Sequence, residues 1–65
     1  MNYGDRIRAL SNEELADLMH NTTSYREDDG EIYLSMVFMD GEECCVHDSW
    51  GGIKEFLDRE WRGKP

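Results

Sequence analysis

Cysteine occurs only twice in the 65 residues, at Cys44 and Cys45. Two thiols cannot make the dense disulfide framework that holds small secreted domains together. No apolar run approaches the ~18 residues of a membrane helix, and no signal-peptide pattern opens the sequence. A cytoplasmic protein with reduced thiols is expected. Glycine-rich phosphate loops and basic patches are also missing, which leaves no cradle for a phosphate and no groove for a nucleic acid. Lysine and arginine are absent altogether between positions 27 and 48. That stretch holds Glu27, Asp28, Asp29, Glu31, Asp40, Glu42, Glu43 and Asp48. Elsewhere acids and bases balance, so the formal net charge of −8 resides in the middle third. Such a field repels nucleic acid and attracts basic surfaces.

The length fits one small domain spanning 1–65. A domain of this size buries only about 60% of the surface its unfolded chain exposes, and it rarely holds a water-excluding pocket. A non-enzyme without a cofactor is therefore expected. Four elements follow from the pattern. Ser11 and Glu14 form a capping box, and Leu10 and Leu15 stand at the staple positions, which starts a helix at Ser11. The helix runs through Leu15, Leu18 and Met19 to His20 and Asn21, where Asn21 supplies a left-handed stop. Residues 5–9 are expected to form a short preceding turn, with Ile7 and Leu10 packing back on the helix.

The polar segment 21–31 reads as a loop. Residues 32–39 (IYLSMVFM) read as a strand, Asp40-Gly41 as a hairpin turn, and 42–48 (EECCVHD) as the return strand. Ser49 caps a last helix over 49–61. Trp50, Ile53, Phe56, Leu57 and Trp61 recur along it at helical spacing, with Lys54–Asp58, Glu55–Arg59 and Asp58–Arg62 as i,i+4 pairs. Gly51 and Gly52 imply a late helix start or a close backbone approach. The predicted class is α+β, in the order αββα, with a homodimer through the sheet edge as one way to relieve the instability of a lone hairpin.

The register of the hairpin decides the chemistry of 42–48. A three-residue loop at 39–41, with Gly41 left-handed, sets Met36 against Cys44, Leu34 against Val46 and Phe38 against Glu42. This register gathers the apolar residues on one face, and a one-residue slip would invert the return strand. It separates Cys44 from Cys45 and His47, because residues three apart in a strand point to opposite faces. A metal or redox module at Cys44, Cys45 and His47 would thus have only two ligands on one face, where structural zinc takes four. The expected core is Leu15, Leu18, Leu34, Met36, Phe38, Val46, Ile53, Phe56, Leu57 and at least one tryptophan. Tyr33, Val37, Cys45 and His47 point away from it. If both helices cover the same side, these four make an exposed patch rimmed by carboxylates, of the kind that marks an interaction site. The expected partner-binding residues are Asp28, Asp29, Glu31, Tyr33, Asp40, Glu42, Glu43, His47 and Asp48.

Residues 3–19 (YGDRIRALSNEELADLM) resemble the opening of a group of small proteins encoded by phages and prophages of Gram-positive bacteria. Residues 44–61 (CCVHDSWGGIKEFLDREW) are similar in kind to the cysteine-bearing middle and Trp- and Leu-rich last helix of that group, with fewer cysteines. The resemblance implies no particular activity. It implies a mobile-element setting in a host cell, where small acidic proteins inhibit defence enzymes by occupying their nucleic-acid-binding surfaces, as anti-CRISPR proteins and other DNA mimics do. The expected function is stoichiometric binding to a basic protein surface, such as that of a nucleic-acid-binding protein or nuclease. The alternative is docking through the apolar outward face of the hairpin.

Overall fold

The sequence pattern reads 62–65 (RGKP) as a frayed tail; the computed structural model describes residues 1–63, so Lys64 and Pro65 lie outside the described residues. The elements are α1 (Tyr3–Arg8), α2 (Asn12–Asn21), β1 (Thr23–Arg26), β2 (Ile32–Val37), β3 (Glu43–His47) and α3 (Trp50–Asp58). The class is α+β, as expected, but the arrangement is richer than αββα. The three strands form one antiparallel sheet in the order β1-β2-β3. Segment 21–31 is therefore not a loop. It holds the edge strand β1 and a second tight turn.

Local chemistry explains most element boundaries. Ser11 and Glu14 form the reciprocal capping box, and Asn2 and Asp5 make an equivalent one that starts α1. Each box satisfies amide donors that a helix start leaves without partners. Ser49 caps α3 by accepting the Gly52 N–H at 3.0 Å. The α2 helix ends without a left-handed residue, for Thr22 in extended conformation takes the C-cap position instead of Asn21.

Helix α3 stops at Asp58 rather than Trp61, because Arg59 turns extended. The chain there pairs with the N-terminus: the Tyr3 N–H donates to the Arg59 carbonyl and the Trp61 N–H to the Met1 carbonyl, at 3.0 and 2.9 Å. Of the three predicted i,i+4 pairs, Lys54–Asp58 forms among the described residues, and Arg62 faces Glu60 instead.

The β2–β3 register is the predicted one, with Leu34 opposite Val46 and Met36 opposite Cys44. Gly41 has φ +94°, and its N–H donates to the Phe38 carbonyl at 2.8 Å, closing the three-residue loop. Leu18, Phe38, Val46 and Phe56 form the buried core, with Leu15, Leu34, Met36, Cys44 and Leu57 packed against it. Tyr3, Ile7 and Leu10 complete it. Ile53, expected in the core, and two further apolar residues of the helices lie elsewhere. Met19 and Trp50 are exposed, and Ile53 keeps 36% of its surface in solvent. Trp61 is half-buried against Arg6, so neither tryptophan joins the core cluster in which one was expected. Helices α2 and α3 pack on β2 and β3, and α1 packs on α3. Gly52 permits that packing, since a Cβ there would stand 2.6 Å from the His47 carbonyl oxygen. Gly51 faces open space.

Candidate protein-docking surface

Alternation along the strands divides their side chains between two faces. Leu34, Met36, Cys44 and Val46 face the helices. Tyr33, Ser35, Val37, Glu43, Cys45 and His47 share the other face with Thr23 and Tyr25 of β1. No helix lies over it among the described residues: Tyr25, Cys45 and Glu43 are exposed, and Tyr33, Val37 and His47 are half-buried. The pairing of Glu27 with Glu31 beyond the strand ends continues this face, through the Glu27 N–H donated to the Glu31 carbonyl at 2.9 Å. The face thus carries three carboxylates, at 27, 31 and 43, and no lysine or arginine.

A row of rings crosses its centre. Tyr25 stacks on Tyr33 with centroids 6.0 Å apart, and Tyr33 meets the His47 ring edge-on at 5.2 Å. His47 is fixed from both sides. Its Nε2 lies 3.0 Å from the Glu31 carboxylate, and its Nδ1 lies 2.8 Å from Ser49 Oγ. An ionised carboxylate only accepts, so Nε2 carries the proton and donates it to Glu31. In the neutral ring Nδ1 then accepts from the Ser49 hydroxyl, which itself accepts the Gly52 N–H. The Tyr25 hydroxyl lies 2.8 Å from Cys45 Sγ. This hydrogen bond, more than any charge, pushes the Tyr25 hydroxyl up to about 12. Ordered rings on a rigid sheet present contact area at low entropic cost.

The acids of the middle third divide between two turns of the same design. The turn at 27–31 (EDDGE) stands free, with all five residues exposed. The turn at 38–42 (FMDGE) is docked. Arg6 of α1 donates to Asp40 and to Glu42, each at 2.8 Å. Its guanidinium lies between the rings of Phe38 and Trp61, at 3.8 and 4.4 Å from their centroids, and the residue is only 8% exposed. Glu42 also accepts from the Tyr3 hydroxyl and from Trp61 Nε1. The Tyr3 hydrogen bond, ahead of those from Trp61 and Arg6, holds the Glu42 carboxyl below its ordinary range. The same bond raises the Tyr3 hydroxyl. Burial pushes the Cys44 thiol up.

The structure thus places the expected partner-binding residues in three settings. Glu31, Tyr33, Glu43 and His47 lie on the open face, and Asp28 and Asp29 lie at the free turn beside it. Asp48 is exposed just beyond β3, where its N–H closes the sheet against Ile32. Asp40 and Glu42 are held by Arg6, so the premise that no base neutralises 27–48 fails at these two positions. Arg6 and Tyr25 escaped the sequence reading. A signal for Tyr25 was present, since Asp29-Gly30 repeats the turn pair Asp40-Gly41 that marked the other hairpin. Cys44 sits on the core face and Cys45 on the open one, so the register parts the two thiols. No group of three metal-ligating side chains occurs among the described residues, and no helix there is long and apolar enough to cross a membrane. Compared with protein-family models, with characterised proteins and with solved structures, the chain matches none.

Proposed function

We propose that this protein is a non-enzymatic, stoichiometric binder of a basic protein surface. In the phage or prophage setting that its N-terminus suggests, the partner is a nucleic-acid-binding defence factor of the host, inhibited in the manner of an anti-CRISPR protein or DNA mimic. One observation supports this reading above the rest: the open sheet face and the free turn carry the carboxylates of 27–31 and Glu43, without a lysine or arginine, around the Tyr25–Tyr33–His47 row. Carboxylates steer a basic partner inward. Tyrosine faces then receive arginine or lysine side chains through cation–π contact. The same charge disfavours direct binding to nucleic acid.

The ring row favours a second reading, docking by apolar contact without phosphate mimicry. Association with a partner captured from host extract, measured by surface plasmon resonance at low and physiological salt, distinguishes them. Under mimicry, E27Q/D28N/D29N slows association about tenfold, while D58N/E60Q on the last segment does little, and binding weakens steeply with salt. Equal effects of the two sets, or indifference to salt, would remove mimicry and leave apolar docking. A Tyr33→Ala variant that binds like wild type would remove both.

A further inference from the structure

The apolar stripe of α3 splits between two environments. Phe56 enters the core at 2% exposure, whereas Trp50 stands out at 81% and Ile53 at 36%. With the half-buried Leu57 they line a groove of about 340 Å³ between α3 and α1. Trp50 and Leu57 are seven residues apart, two helical turns, and so lie one above the other. An indole this exposed at the mouth of an apolar groove lies outside the common pattern of scattered surface apolar residues.

The charges around the groove cancel. Arg8 at its wall pairs with Asp5 at 2.9 Å, and Lys54 pairs with Asp58. Elsewhere acids dominate: on the sheet face, on the free turn, and at Glu13, Glu14 and Asp17 of α2. Two copies that each carry −8 repel one another across most of their surface. This groove is where they can approach without that penalty.

We infer that a second copy of this chain occupies the groove. The two α3 helices pack antiparallel about a two-fold axis, and the Trp50 indole of each copy lies in the groove of the other, against Leu57 and Ile53. A two-fold interface must be complementary to itself, and a knob beside a groove on the same patch meets that condition. Tryptophan is the residue type that most often dominates such contacts. The sheet edges suit a second copy less well. The β3 edge is closed at one end, where the His47 carbonyl accepts the Ser49 N–H at 2.9 Å and Gly52 packs against it, and the β1 edge runs into the acidic turn. The inference is independent of docking at the sheet face, which remains open in the dimer.

Each tryptophan buries about 150–250 Å², so the patch is smaller than the ~800 Å² per partner of a stable interface. The dimer is therefore concentration-dependent. Sedimentation velocity of the full chain from about 10 µM to about 1 mM is expected to show the mass rising from 7.6 kDa toward twice that value. Raising the salt should tighten the dimer, by screening repulsion between like-charged copies. Trp50→Ala should weaken it about 30-fold or more while leaving the circular dichroism spectrum unchanged, because Trp50 is not in the core. Cys45→Arg, on the sheet face, should leave the dimer as it is. A wild-type chain that stays monomeric throughout the range would overturn the inference. So would a Trp50→Ala chain that dimerises like wild type, or loss of the dimer in Cys45→Arg.

Discussion

The turns at 27–31 and 38–42 have the same backbone and nearly the same residues. In both, the third loop residue is a glycine at positive φ, +86° at Gly30 and +94° at Gly41. In both, its N–H donates back across the loop, to the Glu27 and the Phe38 carbonyl. In both, the preceding aspartate accepts the next glutamate's N–H, Asp29 from Glu31 and Asp40 from Glu42. Their surroundings are opposite. The second turn begins with buried Phe38 and has its acids tied to Arg6, Tyr3 and Trp61; the first is exposed throughout, with Glu31 at its end bound to the half-buried His47. The same turn backbone with the same Asp-Gly-Glu thus yields one structural clasp and one charged probe. Acidity in this protein has two separate uses, and a count of carboxylates cannot tell them apart.

The sharpest way to break the comparison is at Phe38. Phe38→Ala is expected to cost about 3–5 kcal/mol, near the whole stability of a domain this small, and thermal melting would reveal it. A well-folded variant with an unchanged midpoint would mean that the second turn is not anchored by its aromatic stem. Glu42→Gln comes next. It keeps the shape but weakens the bonds from Arg6 and Tyr3, at about 1–3 kcal/mol, toward the lower end because the Glu42 side chain keeps 27% of its exposure. The corresponding change in the free turn, Glu31→Gln, should cost less than about 0.5 kcal/mol.

Acid sharpens the same contrast. The Glu42 carboxyl is depressed in the folded state, so the unfolded chain takes up its proton first as pH falls. Its contribution is complete above the ordinary carboxylate range and is lost as pH drops from there through the lowered folded value. Urea unfolding measured across that window should show a stability loss in wild type that Glu42→Gln lacks in part. Equal pH slopes would show that Glu42 is not the depressed group.

The glycines provide a control. Gly30→Ala and Gly41→Ala each force a Cβ into a left-handed backbone, at about 1–2 kcal/mol, and each site has open space around it. Equal losses are expected, because the backbones match even though the surroundings differ. The smallest effect concerns the thiols. A thiol reagent under native conditions should modify exposed Cys45 before Cys44, whose thiol is raised by burial. Faster labelling of Cys44 would reverse the two faces of β3.

Much of this arrangement was legible in the residues. The Ser11 capping box, the Ser49 cap, the hairpin register and the parting of Cys44 from Cys45 all follow from local rules. Strand β1 was hidden because Thr23-Ser24-Tyr25-Arg26 is polar on both faces; it lies at an edge, exposed throughout, and carries no burial alternation. The stripe on α3 marked a buried helix face, but the helix buries only part of it, so Ile53, assigned to the core, lies outside it, as do both tryptophans, one of which was expected inside. Arg6 gave no sign of its role, for nothing near it in sequence names its partners at 40 and 42.

By itself the sequence determined whatever depends on near neighbours or on sums along the chain. Helix starts, turn types, strand register and the concentration of charge in the middle third are of that kind, because their physics acts over a few residues or needs no fold at all. Tertiary structure alone decided which acidic turn is clasped, which face of the sheet stays open and which part of the α3 stripe remains in solvent. Arg6 reaches acids 34 and 36 residues away. Such a meeting is set by how the helices pack on the sheet, and the pattern that drives each helix onto the sheet does not record what its other side will touch.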